Sequence, residues 1–259
     1  MTVRAGEMRF DGQVVLVTGA SRGIGRHAAR LFAECGARVA VHYRTQAAAA
    51  AETVDMLEGD GHAAFSADLC HAGHPESLVS EVISRMGRID VLVNNAGIFE
   101  RVDLLECSFA DWRRVWRKTI ETNLLGPADL CFFVARQMAD IGGGRIVNVS
   151  SRGAFRGEPR APAYGASKAA LNAMGQSLAQ ALASHHVYVF TVAPGFVETD
   201  MAAETLSGPQ GDQVRNQSPL GRVARPEEVA RTIVFLASPG SEFLTGGIVD
   251  VNGASYLRS

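Results

Sequence analysis

Short apolar runs alternate along the chain with longer amphipathic stretches. Residues 13–18, Gln-Val-Val-Leu-Val-Thr, are almost continuously apolar, as expected for a strand covered on both faces within a parallel sheet. Comparable runs occupy 38–44, 62–67, 89–94, 145–150, 187–192 and 247–251. Between them lie stretches of helical composition: 25–35, the alanine-rich 46–58, 75–86, the long 108–139, 166–184, and 226–237 behind an Arg-Pro-Glu-Glu start. About seven strands alternating with about six helices predict an α/β fold, a doubly wound and mostly parallel sheet in one domain spanning 1–259. Residues 1–10 read as a flexible N-terminus. The polar, irregular stretch 198–225 has the length of a substrate lid.

The strand ends carry the chemistry. The first strand runs into Gly19-Ala-Ser-Arg-Gly-Ile-Gly25 and then a helix. Glycines in that context let the backbone turn tightly and approach a pyrophosphate, which the helix N-terminus favours. The second strand ends in Tyr43-Arg44, with no acidic residue between Val39 and Ala51. An acid there would bind a ribose 2′-hydroxyl, whereas arginine accommodates a 2′-phosphate. Arg44 with Arg22 therefore favours NADP(H) over NAD(H), NAD(H) remaining possible. The third strand delivers Asp68-Leu69 at its C-terminal end, the fourth ends in Asn94-Asn95-Ala96-Gly97, and the sixth in Pro194-Gly195. Polar side chains at such an edge must find hydrogen bonds, to backbone or to a cofactor.

After the fifth strand come Ser150-Ser151 and an Arg/Gly/Pro loop. Tyr164 and Lys168 follow, four residues apart and so one turn apart on one helix face. A fixed ammonium beside a phenol lowers the tyrosine pKa toward useful proton transfer. Tyr-x-x-x-Lys alone is weak, since such pairs occur on many solvated helices. Arg152, Arg156 and Arg160 crowd the loop, either as an anion-binding group or as a solvated face. His71 and His74 lack further ligands nearby in sequence and read as structural, so no metal is expected.

Composition narrows the function classes. A formal charge of −2 over 259 residues argues against a nucleic-acid partner. Four scattered cysteines, with no Cys-x-x-Cys, fit reduced thiols in a cytoplasmic protein. No apolar run is long enough for a membrane span, and the N-terminus carries no signal-like core.

Taken together, Thr18–Gly25, Asn94–Gly97, Asn123, Ser151, Tyr164-Gly-Ala-Ser-Lys168 and Pro194-Gly195 resemble the short-chain dehydrogenase/reductase family over essentially the whole chain, most of all its 3-oxoacyl-acyl-carrier-protein reductase branch. The resemblance implies a Rossmann fold and a catalytic tetrad of Asn123, Ser151, Tyr164 and Lys168, with Asn123 holding a water that links Lys168 to solvent. Ser151, rather than Ser150, stands at the family's distance before the tyrosine. It further implies cofactor contacts from Gly19, Ser21, Arg22, Gly23, Ile24, Gly25, Tyr43, Arg44, Asp68, Leu69, Asn95, Ala96, Gly97, Tyr164, Lys168, Pro194, Gly195, Val197 and Thr199, and a homotetramer paired through the two long helices and the final helix and strand. The expected activity is NADP(H)-dependent reduction of a ketone or 3-oxoacyl group. The alternatives are an alcohol, polyol or sugar dehydrogenase, and a cofactor-sensing regulator without chemistry. Asp140–Gly144 and Ser184–His186 lack the basic residues that a carrier-protein reductase presents there, which points to a free small-molecule substrate.

Overall fold

Seven strands form one parallel sheet in the computed structural model, which describes residues 8–258. They are β1 (Val14–Val17), β2 (Arg38–Tyr43), β3 (Ala63–Ser66), β4 (Val91–Asn94), β5 (Gly144–Val149), β6 (Val187–Pro194) and β7 (Ile248–Val251), in the order β3-β2-β1-β4-β5-β6-β7. The helices are α1 (Gly23–Glu34), α2 (Ala47–Asp55), α3 (His74–Met86), α4 (Phe109–Ile120), α5 (Gly126–Asp140), α6 (Gly153–Arg156), α7 (Pro162–Leu182), α8 (Asp200–Ser207), α9 (Gly211–Arg215) and α10 (Pro226–Ala237). Chain order reverses between β1 and β4, and a cleft opens there beyond the strand C-termini.

Successive strand residues face opposite sides of the sheet, so the continuous apolar runs feed two cores. Val15 and Val17 join Ala28 and Phe32 of α1 and Val229 and Ile233 of α10 on one face. Val14 and Leu16 join Leu78 and Val82 of α3 and Leu130, Val134 and Met138 of α5 on the other. Burial on both faces is what makes β1, β4 and β5 read as unbroken hydrophobic runs.

Four expectations are corrected. The helical region 108–139 is interrupted by a π-helical turn, Glu121–Leu125, that carries Asn123; an extra residue per turn of this kind recurs at functional sites. The long helix expected from Ala166 begins at Pro162, whose ring suits a first helical turn, so Tyr164 is already helical. The stretch 198–225 holds the two short helices α8 and α9 rather than irregular chain throughout. Of the N-terminal stretch read as flexible, residues 1–7 lie outside the described residues. Phe10 is fully buried, its ring edge-on to Phe32 with centroids 5.0 Å apart, and its N–H donates to the Cys35 carbonyl. The apolar character of a single residue ahead of the first strand was too short a signal to register as core.

His42 on β2 braces the glycine turn. Its Nδ1 accepts from the Gly19 N–H at 3.1 Å and its Nε2 lies 3.1 Å from the Ala67 carbonyl. These partners fix a neutral ring with its proton on Nε2. Burial pushes its pKa down to about 4.

Two stability effects follow. Phe10→Ala is expected to cost about 3–5 kcal/mol in urea unfolding, as for other buried aromatics. His42 stays neutral in the fold while the unfolded side chain takes up a proton below about pH 6.5, so its contribution is complete above that pH and is lost progressively as pH falls toward about 4. The loss reaches about 3 kcal/mol. In His42→Leu the pH 4–6.5 limb of the stability curve should flatten, while stability at pH 7 drops by about 1–3 kcal/mol because the Gly19 N–H is orphaned.

Candidate active site

The turn after β1 is held open by its own backbone conformation and by side chains reaching in from β4. Gly19 (φ 63°) and Gly23 (φ 57°) occupy the left-handed region. A Cβ on Gly19 would come within 3.0 Å of the Ala96 backbone. Thr18 Oγ1 donates to the Val93 carbonyl and accepts from the N–H groups of Asn95 and Ala96. The Asn95 amide donates to the carbonyls of Thr18 and Gly19. The amides expected to need partners at the strand end thus find them in the neighbouring turn. Asn94, by contrast, is buried in the sheet and donates to Asn148 Oδ1 at 3.0 Å. The N-terminus of α1 has no side-chain cap and no acidic residue in its first turn, leaving its N–H groups and positive dipole end to an anion. These features fit a dinucleotide pyrophosphate.

The cleft has a volume of about 360 Å³. Of the residues expected to contact a cofactor, Gly19, Ser21, Arg22, Gly23, Ile24, Tyr43, Arg44, Asp68, Leu69, Asn95, Ala96, Gly97, Tyr164, Lys168, Pro194, Gly195, Val197 and Thr199 all line it, and Ser151 lines it too. Gly25 does not. It is buried where α1 crosses the turn, and a Cβ there would lie 2.5 Å from both the Asn95 amide and the Gly19 carbonyl, so its role is close packing. Arg44 stands at the end of β2 within the cleft, whereas Arg22 is tied to Asp200 at the start of α8 at 3.2 Å.

At the other end of the cleft, β5 and α7 bring Ser151, Tyr164 and Lys168 together. Ser151 and Tyr164 line the same end of the cleft, and the Ser151 hydroxyl accepts from the Gly153 N–H at 3.0 Å. Ser150, the other candidate, is buried and donates to the Lys168 carbonyl at 3.2 Å, which holds α7 against β5. Lys168 Nζ donates to the Val149 carbonyl at 2.8 Å and lies 5.9 Å from the Tyr164 ring centroid. Phe99 covers the tyrosine edge-on at 4.9 Å.

Burial dominates the electrostatics. It pushes the Tyr164 pKa up to about 12, against the lowering effect of Ser151 and with the Glu158 charge adding to the rise. It pushes Lys168 down to about 8. The lowered tyrosine pKa anticipated from the sequence is therefore absent from the protein alone, because desolvation is the largest influence on it.

Asn123 is fully buried behind this group. Its Oδ1 accepts from the Ile98 N–H at 2.8 Å, and its amide donates to the Ile98 carbonyl and to Ser167 Oγ. Its side chain thus clamps the chain leaving β4 onto α7. A Cβ at Gly97 would lie 3.3 Å from Asn123 Oδ1 and 3.4 Å from Lys168 Nζ, so Gly97 keeps the space between them.

Position sorts the three arginines of the loop: Arg156 and Arg160 are exposed, as a solvated face would have them, and Arg152 is not. Arg152 is buried beneath the cleft floor, its guanidinium donating to Ser255 and Gln217 and lying over Phe196. Arg156 pairs with Glu158 at 3.6 Å. The residues that sequence reasoning missed include His42, Ile98, Phe99, Arg101, Glu158, Phe196, Met201 and Thr205, all lining the cleft. Phe99 and Arg101 directly follow a recognised strand-end motif, which was an available signal. Met201 and Thr205 reach the cleft only through the position of α8. His74 accepts from the Asp68 N–H at 3.3 Å, and among the described residues no three His, Cys, Asp or Glu side chains converge on one point.

A family model described as enoyl-(acyl carrier protein) reductase matches residues 19–254. The 3-oxoacyl-(acyl-carrier-protein) reductase of Vibrio cholerae is 37% identical over 250 residues, 96% of this chain and all of that one. The D-threitol dehydrogenase of Mycolicibacterium smegmatis is 35% identical, covering 97% of this chain and 96% of its own. A dehydrogenase/reductase from Sinorhizobium meliloti superposes with a TM-score of 0.89 at 30% identity, over 97% of this chain and 98% of that one. With its parallel seven-stranded sheet, open glycine cradle and converging serine, tyrosine and lysine, the chain belongs to the short-chain dehydrogenase/reductase family.

Proposed function

We propose that the protein is an NADP(H)-dependent oxidoreductase that reduces a ketone or 3-oxoacyl group, with Tyr164 as the general acid. The observation that carries this reading is the convergence of Ser151, Tyr164 and Lys168 at one end of a cleft whose other end is a pyrophosphate cradle. Nicotinamide chemistry would supply the hydride. The cradle and Arg44 would hold the dinucleotide, with Tyr164 and Lys168 against its nicotinamide ribose. Ser151 donates to the substrate oxygen and stabilises the negative charge that grows there. Tyr164 delivers its proton to that oxygen in reduction and takes it back in oxidation. In the protein alone the phenol is held in its protonated form, which carries the proton that reduction requires. Lys168, on the same helix face, stabilises the phenolate left behind, and Asn123 keeps the Ile98 backbone and α7 in register around them.

Arg44 and the absence of an acid at the end of β2 support NADP(H). A second reading, NAD(P)-dependent oxidation of an alcohol, polyol or sugar, is favoured by the likeness to a D-threitol dehydrogenase over nearly the full chain. The exposed apolar residues Leu125 and Phe132 beside α5, and Phe235, Phe243 and Leu244 near α10 and β7, support the homotetramer that the family implies. Four free thiols fit a cytoplasmic setting.

Fluorescence titration with NADPH and NADH tests the cofactor assignment. NADPH is expected to bind more tightly by at least about tenfold, with the margin lost in Arg44→Ala, as one charge-assisted clamp would give; equal binding, or an NADH preference, favours the oxidative reading. Tyr164→Phe should lower kcat by a factor of about 100 or more while leaving cofactor affinity within a few-fold. A variant that turned over normally would refute the acid role.

A further inference from the structure

The loop between β5 and α7 holds three arginines, yet the charge that it presents beside the tyrosine is a carboxylate. Glu158 lines the cleft with its side chain 18% exposed. Two successive turns fix it relative to Tyr164: the Ala161 N–H donates to the Glu158 carbonyl at 2.9 Å, and the Tyr164 N–H donates to the Ala161 carbonyl at 3.0 Å. A Cβ at Gly153 would come within 2.7 Å of Glu158 Oε1, so the missing side chain at 153 makes the room the carboxylate occupies. Its charge reaches the phenol strongly enough to oppose ionisation there. Its neighbouring cation, Arg156, stands at 3.6 Å, longer than a hydrogen bond.

We propose that Glu158 is a specificity-determining residue that accepts a hydrogen bond from a hydroxyl of the substrate, so that the cleft selects neutral, hydroxyl-bearing ketones and the matching polyols over plain ketones and acyl thioesters. The proposal rests on reading this cleft as a carbonyl/alcohol site. An anionic substrate would be repelled by Glu158 itself. A cationic one would face Lys168, Arg101 and Arg152, which line the same cleft. A neutral hydroxyl meets neither penalty, and it satisfies an acceptor that no protein donor reaches within hydrogen-bond distance among the described residues. Phe99, Phe196 and Met201 supply the apolar remainder of the chamber, so a single well-placed acceptor decides orientation there.

The test compares erythrulose with 2-butanone, the same four-carbon ketone without hydroxyls, with acetoacetyl-CoA as a thioester control, in the wild-type full chain and in Glu158→Gln. Wild type should favour erythrulose in kcat/KM by about 10- to 100-fold, the worth of a hydrogen bond to a charged acceptor. In Glu158→Gln that ratio should fall about tenfold or more, through KM rather than kcat, and Glu158→Asp should recover part of it. No wild-type preference for the hydroxylated ketone, or a ratio unchanged in Glu158→Gln, overturns the proposal; so does an equal loss on both ketones confined to kcat. The wild-type comparison requires no variant to fold. If no ketone is turned over, the reductase reading falls, and calorimetric titration of threitol into the protein loaded with NADP+ decides the role of Glu158 separately. Binding weakened about tenfold by Glu158→Gln sustains it, and absence of threitol binding to wild type refutes it.

Discussion

The structure depends on one constraint: the turn after β1 must be bare of side chains and yet leave no buried backbone group without a partner. A pyrophosphate can approach only where Cβ atoms are absent, and a bare turn loses the side chains that would otherwise pack it. The solution is supplied from neighbouring strands. His42 accepts from Gly19 from the β2 side, Asn95 donates to the Thr18 and Gly19 carbonyls from the β4 side, and Thr18 Oγ1 ties the two strand ends together. Gly25 allows α1 to cross close enough for this to work. The cradle's shape is thereby held by hydrogen bonds of the protein itself, and preorganisation of this kind lowers the ordering cost of binding.

The same economy of contacts governs the catalytic end. Burial drives Tyr164 and Lys168 toward their neutral forms, in opposite directions on the pH scale. Lys168 is anchored to the Val149 carbonyl, so its ammonium is positioned by the end of β5 as well as by α7. The π-helical turn at Asn123 serves the same end. By shifting the helix register locally it turns the amide inward to Ile98 and Ser167, joining the chain that leaves β4 to the helix that carries Tyr164 and Lys168. Cofactor end and proton-transfer end thus share load-carrying side chains.

Much of this was legible in the sequence because the signals were local. Strand-glycine-helix order, Tyr164 and Lys168 one helical turn apart, and the separation of Ser151 from Tyr164 each survive folding unchanged. What was not legible depends on long-range placement. Phe10 is core because Phe32 and Cys35 wait for it across α1. His42 looked like one more residue in an apolar strand, and only the position of the glycine turn makes its ring a brace. The break in the helical region at 121–125 leaves no trace in hydrophobic period over five residues. The raised tyrosine pKa has a related origin: the nearby ammonium is visible in the spacing, whereas the desolvation that raises the value is a property of the whole chamber.

The arginine-rich loop shows most clearly how charge in a sequence differs from charge in a site. Three arginines within nine residues suggest an anion, but position sorts them. Arg152 turns beneath the floor to Ser255 and Gln217, tying the segment after α9 and the C-terminal segment to the loop between β5 and α7. Arg156 is occupied with Glu158. Arg152 and Arg156 thus hold the loop in shape, Arg160 is exposed, and Glu158 is the acid among them that lines the chamber. Because a partly buried carboxylate is costly without compensation, Arg156 and Glu158 form a single device. The cation makes the acid sustainable there, and the acid, held two turns from Tyr164, gives the chamber its polarity.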